Sequence, residues 1–218
     1  MPLIDQILIS ENNLIAIWHI TESTEDLKLQ LTEQYSEAEK ETRINGANAM
    51  HWLASRCLIQ EVFRGNKLRL EKDHNNHPTL YVNNAKWHIS ITHAADKAGI
   101  YISKNKQIGI DLELVDNRIL RVSQKFMNEK ELEFAGNPNQ VAEMTLIWSA
   151  KESLYKLYNK KELDFKKHLV IEPFNSVQTE KFFMGNILKD NLHKKQKIHF
   201  KFYEQVVLTY TSEDDAEN

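Results

Sequence analysis

With 218 residues, 41% hydrophobic and 27% charged, the chain has the composition of a soluble globular protein of one large or two small domains, long enough to bury a core. Lys and Arg number 28 against 31 Asp and Glu, a net charge of −3; this excludes a bulk positive field for nucleic acid or an anionic membrane and leaves only a local basic pocket. The single Cys57 can form no intrachain disulfide, no stretch has membrane-spanning length, and the N-terminus MPLIDQILIS lacks a basic region before a long apolar run, which together predict a cytoplasmic protein.

Residues 14–20 (LIAIWHI) predict a strand and residues 25–35 a polar helix. Residues 36–64 read as a longer helix with the apolar stripe Leu53, Cys57, Leu58 and Val62, ended by Gly65-Asn66. Residues 75–78 predict a turn and 79–82 a short strand; 87–92 and 98–103 predict a hairpin with its bend at 93–97. In residues 108–113, Ile108, Ile110 and Leu112 alternate with Gly109, Asp111 and Glu113, so a strand here puts two carboxylates on one face. Asn128 with Glu131 forms an N-cap pair opening a short helix that stops near Gly136-Asn137-Pro138, and residues 140–158 predict a long helix. The runs 169–171, 197–203 and 206–211 are strand-like, and the acidic tail 212–218 is expected to fray.

The order repeats. An offset of 95 carries Ile15 to Ile110, Ile17 to Leu112 and Arg56 to Lys151; an offset of 109 carries Ile89-Ser90-Ile91 to Ile198-His199-Phe200 and Tyr101 to Tyr210. This predicts an α+β protein of two pseudo-twofold-related halves, 1–104 and 105–218, sufficient as a monomer. Where the second half has Asp111 and Glu113 the first has Ala16 and Trp18, which predicts one site at the seam, its charges in the second half and binding groups in the first.

Two carboxylates side by side on a half-buried strand call for a cation between them, and Mg²⁺, which favours a few hard oxygen ligands and fills the rest with water and phosphate, is the natural candidate. On the long helix, WSAKESLYKL places Glu152 and Lys156 one turn apart with Lys151 alongside. Such a pair is commonly a surface ion pair; alternatively Glu152 is a third carboxylate facing the strand and Lys156 reaches a phosphate, as phosphoryl transfer needs.

GIDLE followed about 35 residues later by WSAKESLYKL resembles the paired signature of the 4′-phosphopantetheinyl transferases, G-[IV]-D-x-E then [FW]-[SCT]-x-K-E-[SA]-x-x-K, with every fixed position met. The two-halved Sfp-type branch resembles nearly the whole chain. The resemblance implies Mg²⁺-dependent transfer of the 4′-phosphopantetheine arm of coenzyme A to a serine of an apo acyl or peptidyl carrier protein, releasing 3′,5′-ADP. It implies Asp111, Glu113 and Glu152 as Mg²⁺ ligands, Glu152 also as general base, and Lys156, with Lys151 nearby, as the cation stabilising the pyrophosphate. Residues 87–93 (WHISITH) resemble the family's F-N-x-S-H block with Thr92 for its serine, so His93 is expected at the coenzyme A 3′-phosphate and Thr92 among the coenzyme A contacts. His77 stands where the family has the lysine of G-K-P, with Lys72 a few residues earlier, and Arg43 and Arg56 are further coenzyme A candidates; Arg56 could equally pair with Glu61 or Asp26.

Two other readings compete. A Mg²⁺ nuclease of the D…(D/E)-x-K kind would need a lysine where Val115 stands, and the net negative charge opposes DNA binding. A non-catalytic coenzyme A- or carrier-binding module would keep the fold without the chemistry, yet all three carboxylates and both lysines are present. There is no P-loop, no G-x-G-x-x-G, no G-x-S-x-G and no zinc spacing among the nine histidines.

Overall fold

The computed structural model describes residues 3–32, 35–37, 43–44, 46, 48–74, 76–136, 140–160, 162–174 and 181–217. It divides into two compact units, Met1–Lys106 and Gln107–Asn218.

In the first unit, β1 (Leu3–Ser10) and β2 (Asn13–His19) pair antiparallel and are followed by α1 (Thr24–Gln30), β3 (Tyr35–Glu37), α2 (Ala49–Val62), β4 (Leu68–Lys72), β5 (Pro78–Val82), β6 (Ala85–Ala94) and β7 (Lys97–Ser103). The sheet order is β1-β2-β7-β6-β5-β4-β3, with only β3–β4 parallel. Ser23 opens α1 with a capping box closed by Asp26, satisfying backbone donors that the helix start leaves over. Every residue of α2 from Trp52 to Ile59 is buried, because the helix packs on β2 and β7 along one side and on α1 along another. The expected one-sided stripe is therefore corrected to a helix enclosed all round, as expected of one apolar beyond a single face.

In the second unit, β8 (Ile108–Leu114) leads into α3 (Arg118–Phe126), α4 (Glu129–Phe134) and α5 (Gln140–Tyr158), then β9 (Leu169–Ile171), β10 (Phe182–Lys189), β11 (Leu192–Tyr203), β12 (Val206–Ser212) and β13 (Ala216–Glu217). The sheet runs β8-β12-β11-β10-β9, with β13 added on β11. α5 lies on β8 and β12 and buries Leu146, Ile147, Ala150 and Leu154 completely. A fully buried leucine or isoleucine contributes roughly 1.5–3 kcal/mol relative to an exposed one, so this face holds the helix to the sheet.

Both units thus combine helices with an antiparallel or nearly antiparallel sheet, an α+β arrangement, and the repeat extends to strand register. Ile15 pairs with Tyr101 in the first unit, and Ile110 with Tyr210 in the second. Ser90 likewise faces Tyr101, as His199 faces Tyr210. The offsets of 95 and 109 land on the same rungs of two sheets ordered β2-β7-β6-β5 and β8-β12-β11-β10.

Several expectations are corrected. The first polar helix ends at Gln30 rather than at 35, and residue 36 is in a strand; Arg43 is helical, and the helix that carries the apolar stripe starts at Ala49. The portions of that predicted helix at 38–42, 45 and 47, turn residue 75 and helix-stop residues 137–138 lie outside the described residues. β1, β4, β10 and α3 are additional elements. The hairpin turn is Ala95–Asp96, so His93 belongs to β6, where it faces Ala98. The acidic tail is tied down: Asp215 accepts from the backbone N–H and hydroxyl of Ser212 and meets His199 Nε2 at 3.0 Å, while Ala216 pairs with Gln196. No helix among the described residues is long and apolar enough to cross a membrane.

Candidate active site

The two sequence motifs meet where α5 crosses β8. Ile110 and Leu112 are buried on one face of β8, 0% and 1% exposed, and Asp111 and Glu113 stand with Gly109 on the other, the face that α5 crosses. Gly109 permits the crossing, since a Cβ there would overlap the backbone carbonyl of Ser153 on α5. Ser149 and Ser153, one turn apart, share hydrogen bonds with the Thr209 hydroxyl at 2.9 and 2.8 Å, and Ser153 Oγ also donates to the Thr209 carbonyl at 3.1 Å. Thr209 is the β12 residue paired with Asp111. These bonds set the rotation of α5 about its axis.

With that rotation, Lys156 Nζ donates to Asp111 Oδ1 and to the Ile110 carbonyl, both at 2.8 Å. Trp148 Nε1 donates to Glu113 Oε1 at 2.8 Å. Trp148 is itself stacked on Phe165, ring centroids 5.3 Å apart, and meets Phe126 edge-on at 4.9 Å. Burial pushes the Glu152 carboxyl up to about 7, with the Asp111 charge adding to it, Lys156 opposing and Glu113 adding a little more. Burial and Asp111 also raise Glu113, against the opposing Trp148 hydrogen bond. The three carboxylates therefore feel one another, with Lys156 the cation among them.

Among the described residues no three acidic, histidine or cysteine side chains already converge as a metal cage. Asp111 is turned to Lys156 and Glu113 to Trp148. By donor chemistry the set nonetheless fits a hard divalent cation: Glu152 and Glu113, raised chiefly by burial and further by the Asp111 charge, are relieved by positive charge. A cavity of about 700 Å³ opens beside Glu113, lined by Leu114, Ile119, Val122, Phe126, Trp148 and Phe165 among others.

Lys151 requires a correction. Expected near a phosphate, it is fully buried, and its Nζ donates to Glu131 Oε2 and to the carbonyls of Phe126 and Phe165 at 2.7, 2.7 and 2.9 Å. Glu131 is equally buried and also accepts from the backbone N–H groups of Asn128 and Ile171. The pair ties α3, α4, α5 and β9 together, and three acceptors leave the ammonium no donor for a substrate.

The remaining candidates lie in the first unit. Arg56 is buried with its guanidinium 4.8 Å from the Trp52 ring centroid and donates to Ser55 Oγ; the suggested partner Glu61 takes Arg64 instead, at 2.6 Å. Thr92 is buried on β6, and His93, next to it, is exposed with its ring stacked on His51. His77 is half-buried with Nδ1 3.5 Å from an Asp73 carboxylate oxygen, an acid that competes with any phosphate. Lys72 ends β4 half-buried, and Arg43 is exposed.

Trp148, Thr209, Ser149 and Glu131 are site-building residues that pattern reading does not single out for these roles. For Glu131 the capping signature is legible, but the buried lysine on its second task is not.

A strand pair of carboxylates faced by a helical carboxylate and lysine defines a site suited to a divalent cation and a phosphorylated substrate. Residues 107–211, nearly all of the second unit, match the model of the 4′-phosphopantetheinyl transferase superfamily. The second unit thus carries a domain of that superfamily, a family of transferases that move phosphopantetheine from coenzyme A to carrier proteins, typically with a metal. No curated protein matches the chain.

Proposed function

We propose that this protein is an Sfp-type transferase that moves the 4′-phosphopantetheine arm of coenzyme A to a serine hydroxyl of an apo acyl or peptidyl carrier protein, releasing 3′,5′-ADP. The observation that carries the reading is the placement of Glu152 on α5 beside the β8 carboxylates, with Lys156 bonded to Asp111.

Asp111, Glu113 and Glu152 are the residues to hold a Mg²⁺ ion, which when bound supplies positive charge against the pyrophosphate oxygens. Lys156 stabilises the charge that develops as 3′,5′-ADP leaves. Glu152 is also the carboxylate to accept the proton of the carrier serine: burial holds it at about 7 without metal, and a bound cation would favour its ionised, proton-accepting form. Trp148 keeps Glu113 oriented, and the apolar cavity beside them suits the uncharged part of such a substrate. The first-unit residues Arg43, Arg56, Lys72, His77, Thr92 and His93 belong to this proposal as coenzyme A contacts, His93 at the 3′-phosphate.

Incubating the purified chain with Mg²⁺, coenzyme A and apo carrier proteins of several types should add the mass of one phosphopantetheine arm to a carrier serine. Carriers that stay unmodified while an authentic transferase labels them in parallel would leave a non-catalytic binding module in its place. Glu152→Ala should abolish labelling while weakening coenzyme A binding less.

A further inference from the structure

His51 stands in the first turn of α2, and its ring lies flat against that of His93 on β6, centroids 4.6 Å apart and planes 10° from parallel. His51 Nε2 is 2.8 Å from the carbonyl oxygen of Ala95. A carbonyl only accepts, so Nε2 of His51 carries the proton and the tautomer is set by this partner.

That partner is rigid. Ala95 sits in the left-handed region with φ 51°, in the two-residue turn between β6 and β7. The other turn residue, Asp96, accepts from the backbone N–H of Ile20 at 2.7 Å, and its carboxylate meets Lys97 Nζ at 2.8 Å and His19 Nε2 at 2.7 Å. The turn is thus gripped from β2, from β7 and from α2. A ring anchored to such a turn presents a fixed plane, and a second ring stacked on it keeps its edge nitrogens in a plane nearly parallel to the first.

We propose that His51 is a positioning residue that orients His93 toward the phosphomonoester of coenzyme A, and so sets the preference for a ligand bearing a 3′-phosphate over one bearing a 3′-hydroxyl. The inference rests on the reading of His93 as the 3′-phosphate contact. A hydrogen bond to a dianion is strong but directional, so a ring free to turn forfeits part of it as ordering cost. His51 pre-sets the ring before the ligand arrives, and touches no ligand itself.

The test is calorimetric binding of coenzyme A and of 3′-dephospho-coenzyme A to the full chain, with no carrier present. The intact protein should prefer coenzyme A by about tenfold, the scale of one charge-assisted hydrogen bond. His93→Ala should erase the preference. His51→Ala should reduce it to about threefold or less, the loss falling on coenzyme A alone, and His51→Phe, which keeps a ring to stack, should restore most of it. Equal weakening of both ligands by His51→Ala would assign His51 a merely structural role, and an undiminished preference would remove any role; either overturns the inference. A preference that survives His93→Ala overturns instead the reading of His93 and the inference built on it.

Discussion

Trp148 and Glu113 are joined by a 2.8 Å hydrogen bond between the indole N–H and a carboxylate oxygen, so the first residue of the helix motif holds the last residue of the strand motif. Trp148→Phe keeps the stacking area and removes the donor. Mg²⁺ affinity, read by titration calorimetry, should fall about tenfold, the lower range for losing a partner that orients a metal ligand. Unchanged affinity would mean that Glu113 needs no orienting.

Gly109 sets how closely α5 approaches β8. In Gly109→Ala the new Cβ meets the Ser153 carbonyl, which is backbone and cannot swing aside. The helix must shift, at a cost of about 1–3 kcal/mol in urea unfolding. Transfer should fall further than stability does, since the same shift carries Glu152 away from Asp111.

The buried Lys151–Glu131 pair is predicted to act through folding. Lys151→Met should cost about 3–5 kcal/mol by leaving a buried carboxylate uncompensated. The double variant Lys151→Met/Glu131→Gln should recover part of that loss, because no buried charge then remains. If Lys151→Met instead keeps full stability and loses only coenzyme A affinity, the lysine is a ligand contact after all.

Glu152 gives the metal-free protein a pH dependence. Its folded-state value of about 7 lies above the ordinary 4.5, so between those values the folded chain binds more protons than the unfolded one. The stability this group contributes is complete below about 4.5, is lost as pH rises through 7, and is level above that. Mg²⁺ favours the ionised form, so it should raise the thermal midpoint more at pH 8 than at pH 6. Glu152→Gln should flatten both trends, and a wild-type midpoint rising from pH 5 to 7 without metal would contradict this assignment.

Much of the candidate site could be read before any coordinates. The alternation around Asp111 and Glu113 named the face, and the four-residue step from Glu152 to Lys156 named the partners on α5. The offsets matched equivalent positions of the two halves, and the structure adds the register: Ile15 with Tyr101 and Ile110 with Tyr210 occupy equal rungs. The missed elements are those whose pattern is ambiguous at short range. β1 is a sheet edge with Leu8 70% exposed, so its apolar residues fall on both faces and no alternation marks it. α3 has a single-faced pattern, but it is short and opens on Asn117 with no capping bond from that side chain.

Local chemistry alone determined which side chains share a face, because the periods of helix and strand depend only on neighbouring residues. It could not say what lies opposite that face. Lys151 and Lys156 are five residues apart on one helix and look alike in the chain. Packing buries the first against Glu131 and leaves the second on Asp111, since the fate of an ammonium depends on which distant acceptors the fold brings within about 3 Å of it.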